Sequence, residues 1–223
     1  HNRLNLDYYV MPNRIEYLDF LKYFSQKNKE HFKPYNQIIN NLGEYQTYYL
    51  FKQQKFITNY LNDNTPYRGL LLYHGLGSGK TCTAIGIAEQ FKEKNIVVLL
   101  PASLKANFIK KGVLFCGDPM YKNVKNSYKK KYTFISYNAS NTPDQIKRIG
   151  SLDNKVIIIE EAHNLISQMV GGILGNNKNG KFIYESLLNS KNSRIIALTG
   201  TPIQKDQYEL ALLLNILRGN IEI

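Results

Sequence analysis

Short apolar runs recur along the chain, each bounded by turn residues and separated by stretches of helical period. Gly69–Tyr73, Asn95–Leu100, Tyr132–Tyr137, Val156–Ile159 and Arg194–Leu198 carry the Leu, Ile and Val density of strands buried on both faces. Between them the spacing predicts helices. One runs from the Gly-rich stretch after Tyr73 through Phe91, and a short one covers Leu104–Lys110. Thr142-Pro143 opens another over Asp144–Ile149, and Ala162–Val170, Phe182–Asn189 and Asp206–Leu217 complete the set. Gly171–Gly180, rich in Gly and Asn, predicts a mobile loop. Strands alternating with helices imply an α/β fold: a doubly wound parallel sheet with helices on both faces. Ligands of such sheets sit at the carboxyl ends of the strands.

Ahead of this alternation, Phe51–Leu61 repeats the helical pattern through Phe56, Ile57 and Tyr60. It ends in the turn signal Asn62-Asp63-Asn64-Thr65-Pro66. Residues 1–49 are rich in Tyr, Lys and Asn, and Ile15–Phe24 places Ile15, Leu18 and Leu21 at roughly helical spacing. The expected organisation is a helical N-terminal extension over 1–49 and one α/β lobe over 50–223.

Composition narrows the class. With 43% hydrophobic and 21% charged residues in 223, wholesale disorder and fibrous structure are excluded. No apolar run approaches the roughly 18 residues a spanning helix needs, so no membrane partner is expected. The first twenty residues are charged throughout and lack a secretory apolar centre. Cys82 and Cys116 lie in unrelated contexts, with neither zinc spacing nor a disulfide framework. The expectation is an intracellular, reducing compartment.

Charge adds a partner class. Lys and Arg number 29 against 17 acids, a net +12, and 23 of the 29 are Lys. The 25 Asn residues suggest that coding bias contributes to this excess. Between Lys105 and Lys131, eight lysines face one acid, Asp118. Such a segment fits either a solvated basic loop or a neighbouring polyanion.

The candidate chemistry begins at Gly75-Leu76-Gly77-Ser78-Gly79-Lys80-Thr81, which joins a predicted strand to a predicted helix. Glycines let successive backbone N–H groups turn inward around a phosphate, at a helix N-terminus whose dipole favours anions. Lys80 is placed to reach the β- and γ-phosphates and the Thr81 hydroxyl to ligate Mg²⁺. His74 stands where the general phosphate-loop pattern has its first Gly. Farther on, Val156–Ile159 ends in Glu160-Glu161-Ala162-His163. Consecutive side chains leaving a strand end diverge, so one of the two acids can face a metal and the other the γ-phosphate, where it orients the attacking water.

Together these segments resemble superfamily 2 helicases and translocases of the Swi/Snf-like, DEAH-type branch. His74–Thr81 is similar to their motif I, and Glu160–His163 to motif II. Leu99-Leu100-Pro101-Ala102-Ser103-Leu104 with Asn107-Phe108 is similar to motif Ia, and Leu198-Thr199-Gly200-Thr201-Pro202-Ile203 to motif III. Within the branch, Leu70–Ile87 and Leu198–Gly219 look most like the helicase-like ATPases of poxviruses and other large DNA viruses.

The resemblance implies a RecA-like P-loop lobe that binds ATP and Mg²⁺. It implies that Gln54 reads adenine, that Thr81 and Glu160 hold the metal, and that Lys80 and Glu161 are catalytic. It further implies that His163, Thr199, Gly200 and Thr201 couple hydrolysis to movement, and that Pro101, Ser103 and Lys105 touch DNA phosphates without reading sequence. Viral RNA polymerase or transcription factor subunits become candidate partners, in host cytoplasm or virion. Glu160 stands where the family has Asp, one methylene shorter. The chain reaches Ile223 just past motif III, so a second RecA-like lobe with arginine fingers is expected to be absent, and hydrolysis by this stretch alone near background. A different class, a nucleotide-binding structural module of a transcription complex, fits the same two departures. A kinase or AAA+ ATPase does not account for Leu198–Ile203.

Overall fold

A computed structural model describes residues 22, 26, 52–63, 65–73, 79–201 and 207–219. Five strands form one sheet: β1 (Gly69–Tyr73), β2 (Asn95–Leu100), β3 (Tyr132–Ser136), β4 (Lys155–Ile159) and β5 (Arg194–Thr199). Their order is β1-β5-β4-β2-β3, and every pairing is parallel. The predicted strands and the doubly wound α/β architecture are therefore present.

Alternate side chains of a strand leave opposite faces. Val98, Leu100, Ile158 and Leu198 enter one core, while Val97, Leu99, Ile157 and Ala197 enter the other. The first core is covered by α1 (Lys52–Tyr60), by α2 (Lys80–Gln90) and by the chain between β2 and β3. The second is covered by α3 (Thr142–Arg148), α4 (Ala162–Ile173), α5 (Lys178–Leu188) and α6 (Gln207–Arg218). α2, α3, α5 and α6 end at the amino edge of the sheet, whereas α4 starts at its carboxyl edge and turns directly into α5, the Asn177 N–H donating to the Gly171 carbonyl at 3.1 Å.

The structure departs from expectation in four places. The helix expected over Leu104–Lys110 is part of a longer run of changing pitch. A 3₁₀ turn at Ala102–Leu104 leads through Lys105–Asn107 into a π-helix at Phe108–Val113, and an α turn at Leu114–Cys116 closes it. Of the mobile loop expected over Gly171–Gly180, only residues 174–177 lie outside a helix; residues 171–173 end α4, residues 178–180 begin α5, and the two helices cross closely. A Cβ at Gly172 would lie 2.3 Å from the Lys181 nitrogen, and one at Gly180 only 2.0 Å from the Gln168 carbonyl oxygen. These glycines let α4 and α5 touch.

Cys82 and Cys116, read as unrelated, are joined in a disulfide, with Cα atoms 5.4 Å apart. They are distant in sequence but share the first face of the sheet, one on α2 and the other at the end of the π-containing run. Finally, the lysine-rich segment crosses the whole sheet. It leaves the carboxyl edge at Pro101 and reaches the amino edge at Lys131, whose Nζ donates to the Phe91 and Lys92 carbonyls at the end of α2. No helix among the described residues is long and apolar enough to cross a membrane. The helical extension expected over 1–49 lies outside the described residues, apart from Lys22 and Gln26.

Candidate nucleotide site

The N-termini of α2 and α4 bring the predicted residues to the carboxyl edge. His74, Gly75, Leu76, Gly77 and Ser78 lie outside the described residues, so the loop is seen from Gly79 onward. Gly79 caps α2 at φ 78°, ψ 21°, a left-handed conformation that suits Gly. Its carbonyl accepts the Thr83 N–H at 2.9 Å and the Thr83 hydroxyl at 3.0 Å. The Gln54 amide nitrogen, on α1, donates to the same oxygen at 3.2 Å. Lys80 and Thr81 then occupy the first turn of α2, where the helix dipole favours bound anions.

Glu160 and Glu161 leave the end of β4 in different directions, as expected. Glu160 turns inward, and its Oε2 is buried with no hydrogen-bond partner. Burial, then the Glu161 charge, pushes its carboxyl up to about 7, against the pull of the Lys80 ammonium. A buried carboxylate oxygen without a donor, beside a lysine and a helix N-terminus, is fitted to a cation that accompanies phosphate. Among the described residues no cluster of three or more His, Cys, Asp or Glu could hold a metal alone. Mg²⁺ is usually held by one or two carboxylates with substrate phosphates and water.

Glu161 caps α4 at φ 50°, ψ 53°, an uncommon conformation for a residue with a Cβ. It is held there by Tyr137, whose hydroxyl contacts the Glu160 carbonyl at 3.1 Å and the Glu161 carbonyl at 3.2 Å. Two residues on, His163 faces β5. Thr199 Oγ1 donates to the Thr201 carbonyl at 2.9 Å and accepts the Thr201 N–H at 3.1 Å. The same oxygen lies 2.8 Å from His163 Nδ1. Glu161 Oε2 lies 3.4 Å from that nitrogen. His163, Thr199 and Thr201, predicted to couple, and Glu161, predicted to be catalytic, are thus one contiguous chain, and Gly200 lies within its turn.

Beside this chain is a cleft of about 640 Å³ lined by Pro101, Ser103, Leu104, Asn138, Glu161, His163, Asn164 and Gln168. Two of the three predicted nucleic-acid residues, Pro101 and Ser103, therefore share a cleft with the carboxylate side. Lys105 does not line it; its Nζ sits 5.8 Å over the Phe134 ring. Sequence reasoning missed Tyr137, Asn138 and Gln168. Gln168 donates to Asn138 at 2.5 Å across the cleft wall. Tyr137 and Asn138 directly follow β3, and the carboxyl-end rule applied to that strand would have found them.

A family model described as the res subunit of type III restriction enzymes, ResIII, matches residues 39–204. The chain belongs to the ResIII family. Among its relatives is the "Putative ATP-dependent RNA helicase R563" of Acanthamoeba polyphaga mimivirus, 35% identical over 95% of this chain and 39% of the relative. The "Termination factor NPH-I homolog" of African swine fever virus is 34% identical over 69% of this chain and 23% of its own length. The "Putative helicase 009L" of Frog virus 3 is 32% identical over 75% and 20% respectively. The chain thus spans well under half of these relatives. The superfamily 2 resemblance, and its leaning toward large DNA viruses, hold for this ResIII chain.

Proposed function

We propose that this chain is the ATP-binding lobe of a helicase-like, nucleic-acid-dependent ATPase acting in transcription, with residues 50–223 as the lobe and 1–49 as an extension. The observation that carries the reading is the buried, partnerless Glu160 Oε2 facing the Lys80 side of an anion-binding helix N-terminus. Lys80 binds the β- and γ-phosphates, and Thr81 and Glu160 hold Mg²⁺. When bound, the metal neutralises charge on the transferring phosphoryl group. Glu161 orients the attacking water, and the His163–Thr199–Thr201 chain carries the state of that site to β5. Pro101, Ser103 and Lys105 contact nucleic-acid phosphates. DNA is the preferred substrate in this reading, with RNA polymerase or transcription factor subunits as partners inside the infected cell or virion. The names of the relatives support the helicase and transcription assignments, one specifying RNA and another termination.

A second reading, a nucleotide-binding module with little hydrolysis, is favoured by where the arginines lie. Arg68 and Arg194 precede or begin strands, and Arg148 and Arg218 end helices. All four arginines of the described residues thus stand at the amino edge, away from the phosphates. An arginine finger is worth roughly 10³–10⁵ in turnover where one operates.

One experiment addresses both readings. Calorimetry with Mg·ATP is expected to give binding that Lys80→Ala abolishes without loss of fold, and turnover is expected near background with or without DNA. Wild-type affinity in Lys80→Ala would overturn the nucleotide assignment. Brisk DNA-stimulated hydrolysis by the monomer would overturn the modular reading.

A further inference from the structure

Gly112 is buried in the π-helical stretch Phe108–Val113, where the chain between β2 and β3 crosses the phosphate-loop helix. A Cβ built on it would lie 3.0 Å from the Thr81 methyl carbon and 3.0 Å from Ile85 Cδ1, both on α2. Thr81 and Ile85 are four residues apart, so they share one face of α2 and straddle the glycine. Four residues beyond Gly112, Cys116 meets the same helix through its bond to Cys82. That bond holds the crossing closed beside Thr81, so the run is not free to back away from α2.

This glycine differs from the pair at the α4–α5 crossing. At Gly172 and Gly180 the atoms a Cβ would strike belong to main chain. There glycine lets two backbones approach. At Gly112 the neighbours are all side-chain atoms, of Thr81, Ile85 and Phe108. What its missing Cβ decides is where those side chains sit.

The Thr81 methyl and hydroxyl occupy two of the three staggered positions about one torsion. Branching at Cβ makes that torsion stiff. Because Cβ is chiral, a methyl seated against Gly112 also fixes the direction of the hydroxyl.

We propose that Gly112 is a positioning residue for the metal site: its bare backbone seats the Thr81 methyl and so aims the Thr81 hydroxyl at Mg²⁺. The inference rests on the reading that Thr81 holds Mg²⁺ beside the nucleotide phosphates. A run that supplies no ligand thereby sets the geometry of the ligand that α2 supplies. Alanine at this position drives the methyl off its seat, and the hydroxyl turns with it. Phosphate binding by Lys80 needs no such aim, so the effect is confined to the magnesium-dependent part of ATP binding.

The test is calorimetry on the full chain, with ATP in Mg²⁺ and with ATP in EDTA. The ratio of the two affinities is the magnesium enhancement. Every variant is built on Ile85→Val, which removes Cδ1 and leaves the Thr81 methyl as the one neighbour at 3.0 Å. Gly112→Ala is expected to cut the enhancement about tenfold or more, the usual effect of losing a group that orients a metal ligand. Affinity in EDTA should stay unchanged. Thr81→Ser keeps the hydroxyl without the methyl, and should lower the enhancement about threefold, for three staggered positions in place of one. It adds no Cβ, so it reads the seat even if Gly112→Ala melts. Combined with Thr81→Ser, Gly112→Ala should lower the enhancement no further, because the methyl it displaces is gone.

A purely packing role would move the melting temperature and leave the enhancement alone. Full enhancement in Thr81→Ser or in Gly112→Ala, an equal loss from Gly112→Ala in both backgrounds, or a parallel loss in EDTA would overturn the proposal. Thr81→Val separates these outcomes from failure of the underlying reading, since it keeps the shape and deletes the hydroxyl. It should lower the enhancement at least as far as Gly112→Ala does. An enhancement that survives Thr81→Val would remove Thr81 from the metal site and overturn both.

Discussion

Gln54 donates from its side-chain amide to the carbonyl of Gly79 at 3.2 Å, tying the helix ahead of β1 to the residue that closes the phosphate loop. Gln54 is only 1% exposed, and this bond gives it a role that does not depend on which base is bound. Gln54→Ala should loosen the loop for any nucleoside triphosphate and remove an adenine contact for ATP alone. Affinity for both ATP and GTP is therefore expected to fall, ATP by the larger factor. A loss on the order of tenfold for ATP matches one hydrogen bond at this depth. Competition binding with the two nucleotides checks it.

Tyr137 holds two consecutive carbonyls where Glu161 adopts a left-handed backbone conformation. Tyr137→Phe keeps the ring packed and removes only the hydroxyl. The expected cost is about 1–2 kcal/mol of folding stability, measured by urea denaturation. Affinity for Mg·ATP should change little, because the hydroxyl touches main chain rather than the phosphate site.

Glu160 makes stability depend on pH with an unusual sign. Its folded-state value, about 7, lies above the ordinary 4.5, so the folded chain holds a proton that the unfolded chain releases. The stability from that proton is complete below about pH 4.5 and is lost as pH rises through 7. About 3 kcal/mol is at stake. The nucleotide-free chain should therefore melt lower as pH rises across this window, and Glu160→Gln should flatten that slope. Stabilisation by Mg·ATP should run the other way, growing with pH, since a cation requires the carboxylate. Thermal melts in a pH series, with and without nucleotide, test both signs.

Arg68 fastens two helix ends to the start of β1. Its guanidinium donates to Ser190 O and Leu187 O at 2.6 Å each, after the end of α5 and within its last turn, and to Ile216 O of α6 at 3.2 Å. Arg68→Ala leaves these carbonyls without their shared donor, at an expected cost of about 3 kcal/mol. Arg68→Lys should recover less than half of it, because one ammonium cannot span three carbonyls held by a fork. Denaturation midpoints distinguish the two variants.

What was legible in the sequence follows from how local each signal is. The run Val156–Ile159 needs no partner to be recognised as a buried strand, and Lys80-Thr81 after a strand needs no tertiary information to suggest phosphate. Gly172 and Gly180 look like loop residues because glycine at a helix crossing and glycine in a loop are spelled alike; only the approach of α4 to α5 separates them. The lysines at 129–131 fit, by charge alone, either a solvated loop or a neighbouring polyanion. Their position at the amino edge is set by a crossing of the sheet that charge counting does not record. Neutralising them is therefore expected to leave the salt dependence of nucleic-acid binding unchanged. Tyr137 reads in the sequence only as the end of a strand ahead of motif II, because its work is done through main-chain carbonyls of residues more than twenty positions away.

The Cys82–Cys116 bond turns residues 82 to 116 into a covalent ring that contains all of β2 and the Pro101 turn. Under mechanical load applied at the chain ends, force bypasses that ring through the sulfurs. β2 can leave the sheet, but it cannot be drawn straight. An extended residue spans about 3.3–3.6 Å, so the oxidised chain should unravel to a contour roughly 110 Å shorter than the reduced one. The same ring places the motif Ia turn and the phosphate-loop helix on a single closed circuit, so a pull on one arrives at the other without passing through hydrogen bonds.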